Sequence, residues 1–207
     1  MSCLIEFIVG FKDLAIGAAA VTTAVVAVTG LRNWQRELTG RAQFDVARSL
    51  VRATYKLRDE IQSCRSPLVV NSEFPEGPYR ERREGTPDEV ADAWAHVYIE
   101  RWKFVQDALR EFDAQSLEAE ALWGADIRKK TRELHRCVNQ LYGAIDAFIH
   151  DKRTSGESFA QDRDFAKEVR AQLNSSNLDD ENNDLSRKIK NAVQEIDYAV
   201  CPHLRRS

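Results

Sequence analysis

Between Leu14 and Leu31 the chain reads LAIGAAAVTTAVVAVTGL, eighteen residues without a charge in a 207-residue sequence that is 30% Asp, Glu, Lys and Arg. As an α-helix the stretch is roughly 27 Å long at 1.5 Å per residue, close to the hydrocarbon thickness of a bilayer. It reads as a single membrane span. Ahead of it Leu4, Ile5, Phe7, Ile8 and Phe11 form an amphipathic lead-in suited to the interface.

The make-up of the span is informative, because Ala, Gly, Val and Thr replace the Leu, Ile and Phe of an ordinary anchor. Helices in lipid associate through close packing and hydrogen bonds, which small residues such as Gly17 and Ala18 permit. With no second span in the sequence, the partner is another copy or another protein. Ala15, Thr22 and Thr29 recur every seven residues, with Ala18 and Val25 between them. In a symmetric ring this stripe faces a pore. The plainer reading returns the threonine hydroxyls to their own backbone carbonyls.

Glu6, Lys12 and Asp13 precede the span, whereas Arg32, Arg36 and Arg41 follow it together with Trp34. The positive-inside rule therefore places the carboxyl-terminal part in the cytoplasm and the amino terminus in the periplasm of a bacterial inner membrane. A cleaved signal peptide is the competing reading, disfavoured because the leader carries little positive charge. Cys3, Cys64, Cys137 and Cys201 are scattered, as in a reducing compartment. The expected division is residues 1–33 as lead-in and membrane helix and residues 34–207 as a cytosolic helical domain.

Beyond the span the periodicity is helical throughout. Val46, Leu50, Ala53, Leu57 and Ile61 share a face, so the membrane helix is expected to continue to about Cys64. The segment SPLVVNSEFPEGPYRERREGTP holds four of the five prolines and reads as a loop. Thr86, Pro87 and Glu89 supply an N-cap, a first-turn proline and a capping-box glutamate for a second helix. Its buried side is expected to carry Val90, Trp94, Val97, Arg101, Val105, Ala108 and Phe112. A third helix, from about Leu117 to His150, repeats Ile127, Thr131, Leu134, Val138, Leu141, Ile145 and Phe148 near a heptad seam. A fourth, from about Glu181 to Val200, carries Leu185, Ile189, Ala192, Val193, Ile196 and Val200 before Pro202. Between these two, only a short helix is expected, around Phe159 to Leu173. The fold class is all-α: one transmembrane helix running into an antiparallel four-helix bundle.

No phosphate-cradling glycine loop, nucleophile elbow or metal-spaced cluster occurs. His96 and Glu100 lie four apart, but the paired Glu-x-x-His motifs of a diiron bundle are missing. The chain is expected to be no enzyme and to use no cofactor or metal. Basic clustering is what remains. Arg128, Lys129, Lys130, Arg132, His135 and Arg136 crowd the third helix, and Arg80, Arg82 and Arg83 follow Tyr79 in the proline loop. At a net charge of −3 these are local patches rather than a bulk nucleic-acid surface. They suit a negatively charged ligand such as a nucleotide or single-stranded DNA. Pairing with neighbouring carboxylates is the plainer account. Arg32, Arg36 and Arg41 suit anionic lipid as well.

The run RNWQRELTGRAQFDVARSLVRATYKLRDEIQ after the span resembles juxtamembrane sequence of bacterial single-span proteins, some of which resemble anti-phage effectors. The membrane effector of the Hailong system is the named family it resembles. The resemblance covers roughly Leu14 to Ile61 and maps no ligand residue. It implies a homotetrameric ion channel held shut by a single-stranded DNA oligomer, with a partner enzyme that makes the ligand. The expectation is a homo-oligomeric channel lined by Ala15, Ala18, Thr22, Val25 and Thr29. The alternative is a single-span scaffold or adaptor without a pore.

Overall fold

A computed structural model describes residues 2–77, 79–80, 84–175, 180 and 182–204, with side chains from residue 22 onward. Six α-helices and no strand occur among the described residues. The chain divides into two compact units, Met1–Asp45 and Val46–Ser207.

Helix α1 (Ser2–Cys64) is a single element. Its first 44 residues belong to the amino-terminal unit. There, every described side chain from Thr22 to Ala42 is exposed, including Val25, Val26, Val28, Leu31 and Trp34. Among the described residues no helix is long and apolar enough to cross a membrane. The Leu14–Val21 half of the apolar stretch lies outside the described side chains.

In the Val46–Ser207 unit the last turns of α1 bury Ala47, Leu50, Ala53, Leu57 and Ile61 completely. The helix ends just before Ser66-Pro67, because the residue before a proline is pushed out of helical geometry. A 3-10 turn at Asn71–Glu73 follows. Helix α2 (Pro87–Trp123) starts where its capping signals put it. Glu89 N donates to Thr86 Oγ1 at 3.3 Å, and Thr86 N donates to Glu89 Oε2 at 2.7 Å.

Helix α2 runs past Phe112 to Trp123, so the third helix begins at Ala125 rather than at about Leu117. Nothing between Phe112 and Trp123 breaks a helix. Gly124 does, with φ 77° and ψ −160°, a conformation open to glycine alone. Helix α3 (Ala125–Arg153) then buries Ile127, Thr131, Leu134, Val138, Leu141 and Ile145. Where a short helix is expected around Phe159 to Leu173, the chain forms two, α4 (Glu157–Gln161) and α5 (Arg163–Leu173), and α5 adds Ala166, Val169 and Leu173 to the core. Helix α6 (Asp184–Leu204) continues through Pro202 instead of stopping there. Its last turn is held by His203, which stacks on Trp123 with ring centroids 4.4 Å apart.

The main hydrophobic core draws on all six helices, α4 contributing Phe159, and a smaller cluster gathers Phe74, Ala93 and Val97. Lys56 meets Glu111 at 2.7 Å and Arg101 reaches the Cys64 carbonyl, so the end of α1 runs antiparallel to α2. Tyr55 donates to Asp197 at 2.5 Å and Arg65 to Ser186 at 3.1 Å, which makes α6 antiparallel to α1 as well. Two arginines organise the end of α1. Arg101 donates to the Ser66 carbonyl at 2.8 Å, the Leu68 carbonyl at 2.7 Å and Glu73 at 2.6 Å, fastening the proline-rich loop to α2. Arg65 is fully buried and donates to Gln172 O at 2.6 Å, Ser186 Oγ at 3.1 Å and Asn183 Oδ1 at 3.0 Å. None of its acceptors is a carboxylate.

Candidate functional site

Of the expected pore stripe, Ala15 and Ala18 lie outside the described side chains. Thr22, Val25 and Thr29 are exposed on α1. The Thr29 hydroxyl donates to the Val25 carbonyl at 2.8 Å and lies 3.0 Å from that of Val26. Helical threonine satisfies itself this way when no other acceptor is near.

The basic residues divide. Arg82 and Arg83 lie outside the described residues, and Arg80 stands 3.9 Å from Glu76 beside the proline-rich loop, away from the α3 cluster. Within α3, burial of Ile127, Thr131, Leu134, Val138 and Leu141 leaves Arg128, Lys129, Arg132 and Arg136 on exposed positions. Arg128 reaches back across the Gly124 turn to Glu120 at 3.0 Å. Arg132 is exposed, and His135 Nδ1 lies 3.3 Å from Asn139 Nδ2. Lys129, Lys130 and Arg136 instead line a groove of about 530 Å³ between α3 and α6.

Helix α6 supplies the far wall with Lys188, Asn191 and Glu195, over a floor of Cys137 and Ala192. Four cations, Lys129, Lys130, Arg136 and Lys188, face two carboxylates, Glu133 and Glu195. The cations are partnered. Lys130 pairs with Glu195 across the groove, Arg136 with Glu133 at 2.5 Å, and Lys129 with Asp126 at 3.6 Å. Lys188 meets Asp184 at 2.6 Å and donates to Gln140 Oε1 at 3.3 Å. The Lys188 hydrogen bond holds the Asp184 carboxyl below its ordinary range. Burial pushes the Cys137 thiol up to about 11, and the nearby Lys188 and Arg65 only partly offset that.

The groove offers cationic donors and amide side chains over an apolar floor, and none of its lining residues is aromatic. Among the described residues no cluster of His, Cys, Asp and Glu could hold a metal ion. Lys188 was hidden from sequence reasoning because it comes from a different helix. Its only local trace is the basic flank of Ile189 in Arg187-Lys188-Ile189-Lys190. Comparison of the chain with protein families, with curated proteins and with solved structures finds no match.

Proposed function

We propose that the protein is a single-span subunit of a homo-oligomeric channel of the bacterial inner membrane, with α1 crossing the bilayer over Leu14–Leu31. The carboxyl-terminal helices form its cytosolic gate, a bundle that binds a phosphate-bearing anion such as a nucleotide or a DNA oligomer. One observation carries the reading. From Thr22 to Ala42 every side chain of α1 is exposed, many of them apolar, whereas from Ala47 onward one face of the same helix is buried in a core. A run that includes Val25, Val26, Val28, Leu31 and Trp34 requires cover by lipid or by other copies.

The α3–α6 groove supports the sensing half of the proposal. An anion that prefers one arrangement of α3 and α6 biases the equilibrium between closed and open assemblies. Opening dissipates the membrane potential and arrests growth, the action of a defence effector. Membrane potential in cells expressing the full chain beside a Thr22→Leu variant tests this. Depolarisation by the wild type alone supports a span-dependent pore, and depolarisation by both removes Thr22 from the lining.

The self-satisfied hydroxyl of Thr29 favours a second reading, in which α1 is a lipid-facing anchor for an adaptor. A poly-Leu replacement of Leu14–Leu31 separates the two. The adaptor keeps its function and the channel loses it.

A further inference from the structure

The stripe Thr22, Val25, Thr29 does not end with the apolar stretch. Continued at the same alternation of three and four, it passes through Arg32, Arg36, Thr39 and Gln43. These positions form a shallow groove of about 370 Å³ on the exposed surface of α1, flanked by Gln35 and by Gly40. A Cβ added at Gly40 would meet nothing within 4 Å.

The charges along this part of the helix are sorted by face. Glu37 is the one acidic residue between Thr22 and Gln43, and it lies off the stripe, bound to Arg41 at 2.5 Å. Arg32 and Arg36 are on the stripe and exposed, and neither makes an ion pair among the described residues, where Glu37 goes to Arg41.

We propose that Arg32 and Arg36, in register with Thr22, Val25 and Thr29, form two stacked rings of positive charge at the inner mouth of the pore and make it anion-selective. The inference rests on the channel reading above. Symmetric assembly about the stripe repeats both guanidinium groups once per copy around the axis, with no carboxylate on that face among the described residues to neutralise them. Rings of Arg or Lys concentrate anions and repel cations at close range.

The test is the reversal potential of the purified full-length chain in a planar bilayer under a potassium chloride gradient. The wild type is expected to reverse toward the chloride equilibrium potential. Arg32→Gln/Arg36→Gln moves the reversal toward zero, and Arg32→Glu/Arg36→Glu carries it to the potassium side. Arg32→Lys/Arg36→Lys keeps chloride preference, as does Arg41→Gln off the stripe. If the wild type conducts and the double-glutamate variant stays chloride-selective, the charge rings are refuted while the pore stands. If no variant and no wild-type protein conducts, the channel reading falls and this proposal with it.

Discussion

Replacing Arg65 by methionine should leave the stability of the helical domain almost unchanged, although Arg65 is wholly buried and makes three side-chain hydrogen bonds. Burial lowers its pKa from an ordinary 12.5 to about 10. At about 1.4 kcal/mol per tenfold change, keeping the guanidinium charged inside costs about 3 kcal/mol. Against this stand three bonds from the guanidinium at about 1.5 kcal/mol each, the lower end of the range for a charged donor, a small surplus that the apolar burial of a methionine side chain offsets. Two of the acceptors keep other partners. Asn183 Oδ1 accepts from Ser186 N at 3.0 Å, and Ser186 Oγ lies 3.2 Å from Ser175 Oγ. The Gln172 carbonyl loses its Arg65 donor outright. The expected change for Arg65→Met is therefore within about 1 kcal/mol of zero, the usual outcome when a buried charge is replaced by an apolar side chain of similar volume. Arg65→Lys should be worse, by about 2 kcal/mol, since a buried cation remains while the fork that serves three acceptors is lost. Urea unfolding of the chain in detergent, followed by the fluorescence of Trp94, Trp102 and Trp123, measures both. A methionine variant that loses 4 kcal/mol, or a lysine variant that outlasts it, would refute the reasoning.

Gly124→Ala should cost about 1–3 kcal/mol in the same assay through backbone strain alone, since its Cβ would meet nothing within 4 Å. The Arg101 hydrogen bond, with a further one from Val70 N, holds the Glu73 carboxyl below its ordinary range. Glu73 therefore stabilises the proline-rich loop fully above the ordinary glutamate pKa and loses that effect as pH falls through its depressed value. The difference in thermal unfolding between wild type and Glu73→Gln should accordingly be present at pH 6 and vanish toward pH 3. Lys130→Gln/Lys188→Gln should weaken binding of inorganic tripolyphosphate about tenfold, the loss of roughly 1.4 kcal/mol. Calorimetry that finds equal affinity would take the groove out of anion binding.

Where a structural decision is local, the sequence announces it. Thr86, Pro87 and Glu89 mark the start of α2 because the cap is made by residues three apart. The α3 seam is equally legible, with Ile127, Leu134 and Leu141 buried at heptad spacing. The boundary at Gly124 was less visible, since a lone glycine within continuous amphipathic sequence is compatible with an uninterrupted helix. Arg65 was invisible for a different reason. An arginine at the end of an amphipathic helix reads as a surface residue, and its burial depends on Gln172, Asn183 and Ser186, more than 100 positions away. The groove shares that character. Half of it, Lys129, Lys130 and Arg136, belongs to a basic run plain in the sequence, while Lys188 and Glu195 arrive through the packing of α6.

If the bundle gates a channel as proposed, the charge balance of the groove constrains what can operate that gate. Shifting a two-state assembly from 1:99 to 99:1 takes about 5.5 kcal/mol of differential affinity. A ligand entering the groove must first displace Glu195 from Lys130 and Glu133 from Arg136, pairs that are solvent-accessible and worth about 0–1 kcal/mol each. It then gains charge-assisted bonds of about 1.5 kcal/mol apiece at the lower end of their range, which is the end an open groove supports. One phosphate on two cations yields about 3 kcal/mol before the displaced pairs are subtracted, short of the gating requirement. Two routes make up the difference: several phosphates engaging Lys129, Lys130, Arg136 and Lys188 together, or one chain of phosphates joining the grooves of neighbouring copies. Either way a polyanion is favoured over a single phosphate group. In the second case the occupied groove also holds the assembly together, so ligand affinity and oligomer stability rise and fall as one quantity.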